Sequence, residues 1–367
     1  DRRAIWRCFA AHYHLFQGTP SRLWIDHALA EVFGITTRLS PQTADASFDA
    51  IAEKLAQPAY RPRALYDRFG IEVIATTDSA LDDLAWHKMA RDSDWSGRVI
   101  PTYRPDAVTD PEFEGFAANV DRLGALTGHD CTTWAGYLDA HRARRGVFIA
   151  HGATATDHGH PSARTLDLPQ PEAAALFGRI RSGTADPAEA EAFRAQMLTE
   201  FARMSCDDGL VMQLHAGSIR NHNGAVFQTY GRDKGFDIPR RTGFAEDLRP
   251  LLNAVGMDAR LTLVVFTLDE ATYARELAPL AGAYPCLRIG PPWWFHDSFE
   301  GMRRFREAVT ETAGFFNTAG FNDDTRALCS IPARHDVARR CDCAYLAELV
   351  TTHRLDEDES LALVPLL

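Results

Sequence analysis

No stretch of this 367-residue sequence reaches the ~18 consecutive apolar residues that a membrane-spanning helix needs. Neither GxGxxG nor GxxxxGK[ST] follows any apolar run, so the usual signatures for cradling a nucleotide phosphate are missing. Positive charge is scarce: 39 basic residues face 50 acidic ones, for a net charge of −11. That argues against general binding to nucleic acid or to anionic membranes, and an anionic ligand would need arginines placed locally to capture it. CxxC is also absent, and the seven cysteines are odd in number, which fits reduced thiols in a cytoplasm better than a disulfide framework. Cys341 and Cys343 form a CxC, but they fall in a helical pattern that turns them ~200° apart.

What is present is enough to build a large core. Apolar residues make up 46% of the chain, sufficient for one barrel or two ordinary domains. The first sixty-odd residues read as helices. Ile5, Trp6, Phe9, Ala10 and Tyr13 share a helical face, a second helix runs from near Ser21 to Gly34, and a third ends before Pro58. From about residue 67, short apolar runs alternate with helical stretches. The runs cover 71–78, 98–106, 146–159, 210–217, 261–268, 286–294 and 320–326. Alternation of this kind implies an α/β fold with a parallel sheet. Seven strands are one short of a closed (β/α)8 barrel, so an open doubly wound sheet competes with a barrel whose first strand is not in this chain. The missing nucleotide fingerprints weaken the open sheet.

Function-capable side chains recur at the C-terminal ends of these runs, the edge on which barrel enzymes build their sites. They are Arg104, Asp157, His215, Arg220, Trp293 with Trp294, and the Asp323-Asp324-Thr325-Arg326 stretch. Each has a plain alternative: Arg104 can ion-pair with Asp106, the acidic run can cap a helix, and the tryptophans can simply pack. Their convergence on one rim favours a site. Three arginines suit a carboxylate-bearing substrate, and an indole can cover the apolar face of a sugar. His215 and Asp324 suit zinc or manganese, but two ligands are fewer than a catalytic zinc takes from its protein. Two His-x-His pairs could add donors. His12 and His14 end a helical pattern, which would point their rings apart. His158 and His160 follow a strand in a Gly/Pro loop with no pleat to aim both rings inward.

Taken in order, GTPSRLWIDHAL (18–29), VIPTYRPD (99–106), ATDHG (155–159), LHAGSIRNHN (214–223), GPPWWF (290–295), FNDDTRA (321–327) and SIPARHD (330–336) closely resemble the uronate (glucuronate) isomerases of the amidohydrolase superfamily. The resemblance implies a distorted (β/α)8 TIM-type barrel with a helical insertion, here residues 1–66 followed by a barrel domain over 67–367. It also implies that the first strand, with the family's metal-binding His-x-His, lies upstream of Asp1. By the same resemblance His215 and Asp324 are catalytic residues and metal ligands, Arg104, Arg220 and Arg326 bind substrate, Asp157 holds a hydroxyl, and Trp293 lines the sugar site. Run 146–156 contains no lysine, so the superfamily's carboxylated lysine has no counterpart and a single divalent ion is implied, zinc or else manganese. The reaction implied interconverts D-glucuronate with D-fructuronate and D-galacturonate with D-tagaturonate through an open-chain enediol. The implied partner is a hexuronate, without nucleic acid or membrane, and a homo-oligomer is compatible with it. Two rivals stay open: a metal-dependent hydrolase of a small anion, and an inactive sugar-acid-binding barrel.

Overall fold

The computed structural model describes residues 1–324 and 327–367. Six strands form one parallel sheet: β1 (Val73–Ser79), β2 (Arg98–Arg104), β3 (Ala155–His160), β4 (Val211–Ala216), β7 (Leu263–Thr267) and β8 (Leu287–Ile289), in the order β1-β2-β3-β4-β7-β8. Every main-sheet pairing is parallel, and helices return the chain between successive strands, which gives the arc of a (β/α) barrel. A two-stranded antiparallel hairpin, β5 (Ser218–Ile219) with β6 (Ile238–Pro239), stands off the end of β4.

Alternation along the strands decides what faces the barrel interior. In β3 and β4 the residues at even positions from Thr156 and Met212 are buried against helices, whereas Ala155, Asp157, Gly159, Val211, Gln213 and His215 point the other way and are only partly covered. The main core lies between the sheet and its helices. It includes Tyr103, Tyr137, Phe148, Phe177, Phe193 and Phe201. The helix Pro187–Asp208 supplies many of its residues and starts with a capping box of Asp186 and Glu189. Residues 2–68 are helical apart from short connections, as expected, and hold two smaller clusters around Tyr13 and Tyr60.

Three expectations about the strands need correction. Residues 146–150 do not open a strand but finish the helix Trp134–Ala150, whose Tyr137, Leu138, His141, Arg144, Arg145 and Phe148 are buried at helical spacing. A short apolar run cannot by its pattern alone be assigned to a strand or to a buried helix end. Second, β8 stops at Ile289 because Pro291 and Pro292 have no N–H to donate, so the run to residue 294 is mostly loop. Third, residues 320–324 are not a strand. The chain meets β8 earlier, at Asn317–Ala319: Ile289 N–H donates to Asn317 at 2.9 Å and Ala319 N–H to Ile289 at 2.8 Å.

The seven cysteines are free. Cys341 is buried and Cys343 exposed on the helix Ile331–Thr351, as the ~200° divergence requires. Among the described residues no helix is long and apolar enough to cross a membrane.

One charge sits deep in this architecture. Arg145 is 0% exposed and forks onto Asp208, with Nε to Oδ2 at 2.6 Å and Nη2 to Oδ1 at 2.9 Å, while Nη2 also reaches Ser205. Removing one partner of a buried pair strands the other. Arg145→Met is therefore expected to lower unfolding free energy by about 3 kcal/mol, read from the shift of the urea midpoint at unchanged slope.

Candidate active site

The strand ends deliver a continuous series of contacts. Arg104, the last residue of β2, donates Nε–H to Asp106 at 2.8 Å, and its Nη1 lies 3.2 Å from Asp157 Oδ2. Asp157 faces inward from β3, and its Oδ1 is 2.8 Å from Nε2 of His215, which faces inward from β4. The His215 ring meets the edge of Trp293 with centroids 5.1 Å apart, and Trp293 lies 4.6 Å from Trp294. The guanidinium of Arg220 lies over Trp294 at 4.8 Å, and its Nη1 is 3.3 Å from Asp237 Oδ2. Thus Arg104, Asp157, His215, Trp293 and Arg220, chosen from the sequence, are brought to one rim.

The strand register explains the assembly. Gly159 stands directly beside His215 in the β3–β4 pairing. A Cβ at Gly159 would come within 2.5 Å of Arg104 Nη2 and 2.9 Å of His215 Cε1. The absence of a side chain is what lets the guanidinium and the imidazole approach across the strand. Gly159 N–H also points at Asp106 Oδ1, at 3.4 Å.

Electrostatics hold the Arg104–Asp157 pair in its charged state. Burial pushes the Asp157 carboxyl up, but the adjoining His215 and Arg104 outweigh it and hold the pKa at about 2. Burial works against the Arg104 cation, and Asp106 and Asp157 together overcome it and raise its pKa. Asp324 adds to the field that keeps Arg104 charged, although it is exposed and bonds locally, its N–H donating to Asn322 Oδ1 at 3.2 Å. Both Trp294 (φ 49°) and Asp324 (φ 44°) adopt the left-handed region, uncommon for residues other than glycine. Arg326 lies outside the described residues.

The two His-x-His pairs are placed differently from expectation. His158 and His160 belong to β3 itself, not to a loop after it. The pleat turns both rings away from Asp157 and into the core, where burial drives their pKa values down and His158 packs 4.8 Å from Phe201. The helix Arg2–His12 ends between the first pair, and a tighter 3₁₀ turn carries His14. Their rings consequently lie 6.5 Å apart and near parallel instead of pointing ~200° apart, each Nδ1 against a backbone carbonyl. Among the described residues no three His, Cys, Asp or Glu side chains gather as a cation cage. His215 and Asp324 offer two donors, and His215 Nε2 is already engaged by Asp157. These residues do not by themselves fit a catalytic zinc, which takes three protein ligands.

Sequence reasoning missed Gly159 and Asp237 and gave Asp106 only a bland role. The Arg104–Asp106 ion pair was visible as a two-residue spacing. Nothing local marked Gly159, whose importance depends on the neighbouring strand.

A parallel barrel with arginine, carboxylate, imidazole and indole lining one strand-end rim defines an enzyme built to hold a small anionic, sugar-like molecule. The model of the glucuronate isomerase family matches residues 1–364, and the chain belongs to that family. It is 64% identical over 363 residues to the uronate isomerase of Rhizobium meliloti (strain 1021), covering 99% of this chain and 77% of that protein. Its fold matches the crystal structure of glucuronate isomerase from Caulobacter crescentus with a TM-score of 0.97 and 56% identity, over 100% of this chain and 76% of that one. The uronate isomerase structure from Thermotoga maritima matches with a TM-score of 0.93 and 29% identity, over 99% and 80% of the respective chains.

Two outcomes follow from the geometry. Gly159→Ala should lower kcat/KM by about 10²-fold by displacing Arg104 and His215, with a folded circular dichroism spectrum retained. Because the Asp157 pKa is depressed from 3.8 to about 2, its ion pairs stabilise the fold above about pH 4, and that contribution fades as pH falls towards 2. Thermal melts should then show wild type losing its advantage over Asp157→Asn across that interval, and a constant difference would contradict the assignment.

Proposed function

We propose that the Arg104–Asp157–His215–Trp293 wall is the hexuronate site of this aldose–ketose isomerase, and that the reaction is a proton transfer between C1 and C2 of the open-chain sugar acid. The observation that carries the reading is the shared carboxylate of Asp157, held by Arg104 on one oxygen and His215 on the other. With its pKa at about 2, Asp157 stays ionised at neutral pH and acts as a hydroxyl acceptor rather than a proton donor. Arg104, Arg220 and, outside the described residues, Arg326 provide the forks suited to the substrate carboxylate. Trp293 covers an apolar face of the sugar chain, and its contact with His215 sets that indole beside the polar wall. Asp324, together with His215, is assigned the proton transfers of ring opening.

In the chemical step the C2 hydrogen leaves as a proton while the C1 carbonyl oxygen gains one, giving a cis-enediol. Reprotonation at C1 and loss of the O2 proton give the 2-ketose. Arg104 and Arg220 hold the distal carboxylate still throughout, and the partly covered barrel interior limits water. On this reading D-glucuronate and D-galacturonate are the aldoses, and D-fructuronate and D-tagaturonate the ketoses.

The divalent ion implied by the family resemblance, zinc or else manganese, would supply Lewis-acid polarisation if held against His215 and Asp324. With two donors available, remaining ligands would have to come from outside the described residues, so no step here runs through it. We also assign residues 1–66 to a helical insertion and 67–367 to the barrel domain, with the cytoplasm as the working compartment.

Turnover of D-glucuronate in D2O, followed by NMR, should place deuterium at C1 of the ketose. Complete retention of the C2 hydrogen there would indicate hydride transfer and overturn the enediol route. Hydrolysis of lactones or amides without isomerisation would favour the hydrolase rival.

A further inference from the structure

Arg334 stands outside the rim but touches the segments that follow Trp293–Trp294 and precede Asp324. It projects from the first turn of the helix Ile331–Thr351 and is mostly buried, with 14% of its side chain exposed. Its Nη2 pairs with Asp297, which follows the Trp293–Trp294 turn by three residues. Its Nε lies 2.5 Å from Oδ1 of Asp323, the residue immediately before Asp324. Trp24, from the N-terminal helix Pro20–His27, lies over its guanidinium at 4.6 Å. Both carboxylates are strongly shielded from water, and burial raises their pKa values despite the pull of Arg334. One cation thus serves two desolvated carboxylates on different loops, Asp297 through a hydrogen bond and Asp323 through a close ion pair. A lysine ammonium, a point charge, could not span both with fixed geometry.

We propose that Arg334 is a positioning residue for the isomerase reaction: it ties the loop carrying Trp293 to the loop carrying Asp324, so that indole and carboxylate meet the substrate in one fixed relation. This rests on the reading above, in which both groups face the hexuronate. Among the described residues, the last ladder-type bond of the first loop is Gly290 N–H to Val265 O at 2.8 Å, and the second loop leaves β8 after Ala319. β8 ends at Ile289 and the last chain crossing ends at Ala319. Among the described residues of the two loops, Asp297 and Asp323 are side chains that meet at a common partner, Arg334. Trp24 closes the outer face of that partner and couples the helical segment to the same point.

The test uses the full chain with D-glucuronate as substrate. Arg334→Gln and the isosteric Asp297→Asn should each lower kcat/KM by roughly 10²-fold while far-UV circular dichroism stays native, and Arg334→Lys should recover only part of the loss. The distinguishing readout is a double-mutant cycle with Trp293→Phe. If Arg334 acts through Trp293, adding Asp297→Asn to Trp293→Phe costs less than about 3-fold, well short of its effect in the wild-type background. Additive losses, or an Asp297→Asn variant as active as wild type, would overturn the proposal; Asp297→Asn carries the test if Arg334→Gln does not fold. If Trp293→Phe and Asp324→Asn alone leave kcat/KM unchanged, the site reading itself fails and the tie loses its purpose. Reduced activity in those two variants with an active Asp297→Asn removes the tie alone.

Discussion

The carboxylate of Asp157 is the point on which this site depends. It carries a negative charge in a largely desolvated position, which is unfavourable unless a cation and a hydrogen-bond donor are placed against it. Arg104 and His215 come from the strands on either side, so satisfying one anion fixes three strand ends relative to each other. The bare backbone at Gly159 is the geometric condition for that arrangement, since a methyl group there would occupy the space in which both partners converge. Trp293 then leans on His215, and Trp294 carries Arg220, so the aromatic loop is in contact with the wall that this anion organises. Fold and site are in this sense one solution: the parallel register that builds the barrel also aligns the charges.

Much of this was legible in the residues. Largely apolar runs such as LTLVVFTL became strands, and the polar residues ending β2 and β4 reached one rim because parallel strands present their C-terminal ends together. What failed to show were features decided across elements. The GVFIA run looked like strand, but its residues continue a helix whose buried positions recur every three to four residues. His158 and His160 looked like loop residues because glycine and proline surround them; pairing to β4 draws them into a pleat that turns both imidazoles from the interior. Short-range pattern carries no record of which strand lies alongside, and for that reason the role of Gly159 was invisible while that of Asp106 could at least be suspected.

The helical N-terminal segment is more than a cover. Besides Trp24 over Arg334, His27 Nε2 lies 3.4 Å from Asp336, and the cluster around Val32, Phe33, Tyr60 and Leu65 packs against Leu328 and Cys329. These contacts all fall on the stretch between the end of the acidic loop and the first turns of the long helix. The helical N-terminal segment therefore bears on the part of the site that the sheet itself does not reach.

Trp294 and Asp324 occupy left-handed backbone, each as a residue whose Cβ makes that conformation costly. Glycine would sit there with less strain, yet glycine could supply neither the ring under Arg220 nor the carboxylate beside Arg104's field. These two positions mark where the chain has set conformational comfort against chemistry. A selection for thermal robustness alone would favour glycine at both, and a more stable protein could emerge with this rim taken apart.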